Sequence, residues 1–136
     1  MDEETLLPPP VLAKATKSGN EYGWPLVDVP EVIDAAESVG LANLGGQPQF
    51  IYPDGTCEPY WLNADAADQH DGETWGAYVA RSAAEVRAGF QRLVDEDEFE
   101  SAARQFQFLA EKLDRGEDIM SHLRFVLYFA ANEPAV

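Results

Sequence analysis

The chain reads as an α+β fold, a small antiparallel sheet with an edge hairpin at about 47–62 packed against one short and three longer helices. Three observations predict it. The run "FIYPDGTCEPYWLN" places a Pro-Asp-Gly turn between β-prone residues. From about Thr74 to Asp95, and again from Glu98, apolar residues recur every three and four positions, the spacing of amphipathic helices. Finally, 136 residues that are 46% hydrophobic, with 7 Phe, 5 Tyr and 3 Trp, suffice for one core and are too apolar for a disordered acidic chain.

Residues 1–18 carry Pro8-Pro9-Pro10 and little periodicity, and are expected as an extended or flexible arm before a single domain over 19–136. Gly19, Gly23 and Pro25 then break up the stretch around Tyr22 and Trp24. Pro30 opens a short helix, with Val32, Ile33, Ala36 and Val39 on one face, and Gly40 stops it. Gly45-Gly46 leads into the hairpin. With Gly55 read as a left-handed bulge residue, Tyr52 faces Thr56, Ile51 faces Cys57 and Phe50 faces Glu58. On that register Trp61 is a core residue, while Glu58 and Tyr60 are surface ones. Pro48 and Pro59 lack ladder donors, which puts part of the hairpin at a sheet edge. After the polar loop 63–73 come a helix over about 74–95, a second from Glu98 to Gly116, and a last, mostly apolar one over about 118–132.

The net charge of −16 argues against direct nucleic-acid or anionic-membrane binding, which needs clustered Lys and Arg. Between Ser18 and Ala80 there are 11 acids and no Lys or Arg, whereas from Arg81 onward 7 bases face 11 acids. The negative field is therefore expected in the middle of the chain. No apolar run approaches the roughly 18 residues of a membrane span. The acidic "MDEETLL" opening does not resemble a secretory signal, and a single Cys permits no internal disulfide. A cytoplasmic location is the expectation.

Reaction chemistry finds little to stand on. Cys57 with His70 or His122 would supply the parts of a thiol site, but no cation lies near it in sequence to depress its pKa, so no catalytic residue is assigned. Asp65, Asp68, His70, Asp71 and Glu73 offer five ligating side chains within nine residues, yet their spacing fits no EF-hand and no zinc motif occurs. No metal or cofactor is therefore assigned. Gly45-Gly46 lacks the Lys of a phosphate loop, and His122 among Met120, Leu123 and Val126 reads as a packed helix residue.

An acidic field with aromatic anchors is the chemistry of capturing a basic protein. The expected function is a non-enzymatic acidic binder that neutralises a basic partner such as a toxin or nucleic-acid-binding enzyme, as an immunity-type inhibitor or a mimic of nucleic-acid charge. Tyr22, Trp24, Asp54, Glu58, Tyr60, Asp65, Asp68 and Asp71 are the expected contact residues. The alternative is a small enzyme or divalent-metal domain using the Asp65–Glu73 loop.

Overall fold

A computed structural model describes residues 3–132. One antiparallel sheet is built from β1 (Thr16–Ser18), β2 (Glu21–Trp24), β3 (Ala42–Tyr52), β4 (Gly55–Cys57), β5 (Ala64–Asp65) and β6 (Leu123–Ala130). Its order is β1-β2-β6-β3-β4, with β5 pairing β3 beside β4. The described helices are α1 (Pro9–Leu12), α2 (Val29–Ser38), α3 (Trp75–Glu96), α4 (Phe99–Ala103) and α5 (Gln107–Asp114). The α+β architecture with a small antiparallel sheet is as the sequence predicts.

The last element is different. "LRFVLYFA" forms the central strand β6 after a 3-10 turn at Met120–His122, not a helix over 118–132. Leu123, Phe125, Leu127 and Phe129 point to the helices, whereas Arg124 and Tyr128 alternate to the other side, half-buried; Ala130, at the strand end, packs with Ala42 against the Tyr78–Val79 cluster of α3. Val126, on the side of Arg124 and Tyr128, is also buried, and its extra apolar position masks the period of two in the sequence. The helix expected from Glu98 to Gly116 breaks at Arg104–Phe106 into α4 and α5.

The hairpin register is shifted by one residue from expectation. Tyr52 pairs with Gly55, Ile51 with Thr56, and Phe50 with Cys57. Gly55 is not at positive φ but is the first residue of β4, so Pro53 and Asp54 alone make the turn. A one-residue slip exchanges faces. Cys57 therefore shares the buried side with Phe50 rather than with Ile51. β4 lies at the edge, and Pro48 falls where β3 is unpaired on that side, between its β5 and β4 segments.

The segment expected as an arm carries β1 and α1, and its Leu7 and Val11 lie in the core. Trp24, fully buried, donates Nε1–H to the Val11 carbonyl at 3.0 Å and so fastens this segment to the sheet. Two glycines let elements approach. A Cβ on Gly46 would meet Phe125 Cε2 at 2.4 Å, and Gly45, at φ +138, lies under Asp65 at the β3 bulge. The apolar clusters joining helices to sheet are built on Trp24, Phe50, Leu123, Phe125, Leu127 and Phe129. The helices thus cover one face.

Candidate functional site

The negative field does not fall where the sequence places it. Five of the eleven acids in the base-free stretch are met by cations from outside it. Lys14 reaches Asp28 and Glu31 at 3.9 and 3.2 Å, Arg87 reaches Asp34 and Glu37 at 2.7 and 3.2 Å, and Arg81 Nε reaches Glu73 at 2.7 Å. Arg81 also contacts Glu85 at 2.9 Å and the carbonyls of Ala67 and Asp68, which ties the acidic loop to α3. The Arg81 hydrogen bond, and after it the His70 backbone N–H at 3.0 Å, lower the Glu73 carboxyl to about 2. Among the described residues, no three of His, Cys, Asp and Glu converge as a metal would require.

Two further acids are absorbed by the sheet face opposite the helices. Tyr128 donates its hydroxyl to Glu21, Gln47 Nε2 donates to Glu58 and, at 2.9 Å, to the Tyr128 oxygen, and Gln49 Nε2 donates to Glu21 at 3.1 Å. Gln49 is buried. Burial and then the Glu21 bond push the Tyr128 phenol upward, so its hydroxyl stays protonated and acts as a donor. Arg124 closes the row on Thr16 Oγ1 at 3.2 Å. This network is self-satisfied.

The expected contact residues are accordingly scattered. Trp24 is the clear correction, because a fully buried indole offers nothing to a partner. Tyr22 is half-buried beneath Lys17, whose Nζ lies 5.4 Å from its ring centroid. Glu58 is part-buried in the Gln47 contact. Asp54 is exposed at the hairpin tip, and Asp65, Asp68 and Asp71 are exposed on β5 and the loop that follows. Tyr60 is 70% exposed.

What the sequence reading misses is the surface beside Tyr60. Trp61, expected in the core, is 45% exposed. It meets Tyr60 edge-on with centroids 5.3 Å apart and lies nearly parallel to Phe106, at 6.0 Å and 14°. Pro59 and Leu62, both buried on either side, hold this turn down. Trp61 lines a groove of about 400 Å³ with Glu98, Ser101, Ala102 and Gln105. Behind it, α3 ends on Asp97 at φ +47, and the chain turns directly into α4. That corner exposes Asp95, Glu96, Asp97, Glu98 and Glu100. No described Lys or Arg pairs with any of the five. "DEDEFE" was the visible signal, but nothing in the sequence links it to residue 61.

The chain matches no protein-family model, no curated protein and no solved structure.

Other reactive groups are occupied. Cys57 is buried against Phe50, and burial pushes its thiol up, toward the neutral form. His122 stacks on Tyr52 at 3.9 Å, and its Nδ1 lies 3.2 Å from the Ile51 carbonyl, which makes Nδ1 the donor. Lys112 sits 4.7 Å from both the Tyr52 and Phe108 ring centroids. Among the described residues no helix is long and apolar enough to cross a membrane.

Proposed function

We propose that this protein is a non-enzymatic acidic binder that captures and neutralises a basic protein, as an immunity or antitoxin-type inhibitor or a mimic of nucleic-acid charge, in the cytoplasm. The observation that carries the reading is the exposed Tyr60–Trp61 pair next to an α3–α4 corner whose carboxylates make no ion pair among the described residues. Aromatic anchors supply affinity once desolvated, and the surrounding charge steers the encounter. The interface centre moves to Trp61 and Glu98, with Tyr60 and the exposed Asp54 and Asp65 as outlying contributors. Six of the nine bases are ion-paired within the chain, and among the described residues Lys17, Arg92 and Arg124 are not, Arg92 standing on α3 three and four residues before Asp95 and Glu96.

The test uses the full chain as bait in extracts of its host, with a Tyr60→Ala/Trp61→Ala double variant in parallel. The reading expects basic proteins, held at low salt, associating more slowly as salt rises, and lost from the variant. Capture of neutral or acidic proteins, or equal capture by the variant, would reject it.

A further inference from the structure

We propose that the groove beside Trp61 receives an arginine side chain of the partner, an inference that rests on the acidic-binder reading. The lining selects the occupant. Phe106 lies parallel to the indole and Tyr60 abuts it edge-on, so the ring plane is set before anything binds, and its exposed surface borders the groove. A flat, preset aromatic surface suits a planar cation.

The polar lining is rich in acceptors. Glu98, Ser101 and Gln105 recur at intervals of three and four, which brings them to one side of the α4 segment, with Ala102 as the apolar floor. Glu98 has no ion pair among the described residues, and Ser101 already spends its hydroxyl proton on the Glu98 carbonyl at 3.0 Å, leaving its oxygen as an acceptor. A guanidinium brings five N–H donors and no acceptor, and its methylene stem can lie on Ala102. A lysine ammonium has the charge without the plane. A phosphate or nucleic acid would meet Glu98 and its neighbours Glu96, Asp97 and Glu100 as like charges. A carbohydrate also stacks on indoles and its hydroxyls donate to carboxylates, but a neutral sugar gains nothing from the surrounding negative charge, which a guanidinium does.

Trp61 can report on its own site, since Trp24 is fully buried and Trp75 donates its Nε1–H to the Gly40 carbonyl at 2.8 Å. The experiment titrates the full chain with N-acetyl-arginine amide and follows the three indole N–H resonances by NMR. N-acetyl-lysine amide and methyl glucoside serve as parallel probes. A saturable shift confined to Trp61 is expected for arginine, on the order of millimolar for so small a ligand, with lysine about tenfold weaker and no glucoside response. Glu98→Gln, at an exposed position, should weaken the arginine response about tenfold with an unchanged fold, while Asp71→Asn should leave it intact. Equal responses to arginine and lysine, a saturable glucoside shift, or an unperturbed Trp61 would each overturn the inference. Capture of basic proteins without an arginine response would defeat the groove assignment alone. An arginine response without such capture would defeat the binder reading alone.

Discussion

Arg81 holds Glu73 with Nε 2.7 Å from Oε2, and the same guanidinium reaches back to the carbonyls of Ala67 and Asp68, 14 and 13 residues earlier in the chain. A loop that reads in sequence as loose, acidic and ligand-like is therefore a clamped connection between β5 and α3. Because the Glu73 carboxyl is lowered to about 2, the folded state favours its charged form. That contribution is complete above the unfolded value of about 4.3 and is lost as pH falls from there toward 2. Thermal melts of the parent chain and Glu73→Gln should differ near neutrality and converge as pH approaches 2. A gap that stays constant with pH would show that the charge of Glu73 is not what the clamp uses. Hydrogen exchange should quicken over residues 66–74 in the variant, with β6 amides still protected.

The sheet-face network makes an alkaline prediction of opposite sign. Tyr128, raised by burial and then by Glu21, keeps its proton in the folded state beyond the unfolded value of about 10. Its contribution is full below about 10 and drains as pH rises above it. Tyr52 and Cys57 are also raised, so Tyr128→Phe should flatten this alkaline loss in part rather than abolish it. At pH 7 the variant should lose about 1 kcal/mol, since Glu21 retains the Gln49 donor. Urea denaturation at pH 7 and 10.5 measures both terms.

Close approach of β3 to β6 predicts unequal tolerance among glycines. A Cβ on Gly46 would lie 2.6 Å from the Val126 carbonyl oxygen as well as 2.4 Å from Phe125, and backbone cannot step aside as a flexible side chain can. Gly46→Ala should cost about 1–3 kcal/mol. At Gly55 the nearest atom, on Phe108, is 3.9 Å away and φ is not positive, so alanine should be neutral within about 0.5 kcal/mol. Urea midpoints of the two variants test the contrast.

The helical periodicity of α3 was legible because one face buries Tyr78, Val79, Ser82, Val86 and Phe90 and the other meets solvent. β6 was not, because Leu123, Phe125, Val126, Leu127 and Phe129 are all buried, and a short all-apolar run looks alike as strand or helix. The hairpin was recognisable from its turn, but its register hinged on whether Gly55 takes a left-handed conformation, and composition does not decide that. Trp61 was assigned to the core by extending strand alternation past Cys57, where the strand ends. The charge distribution was least legible of all, because Lys14, Arg81 and Arg87 reach into the base-free stretch only through tertiary packing.

Charge reversal separates these roles. Glu98→Lys puts a cation into the groove at a carboxylate with no ion pair among the described residues, and should weaken the captured basic protein at least about tenfold, chiefly by faster dissociation. Asp54→Lys, at the exposed hairpin tip, should slow association by a few fold and lose that effect at high salt. Glu58→Lys should act on the fold instead, because it breaks the Gln47 contact and leaves a cation beside the sheet-face network. Glu31→Lys should change neither binding rate by more than about twofold, since it removes an ion pair with Lys14, and neither residue lines the groove. Surface plasmon resonance at two salt concentrations, paired with urea midpoints for each variant, distinguishes the four. If Glu31→Lys and Glu98→Lys weaken binding equally, the protein acts through its total charge, and the Trp61 groove is not the interface centre.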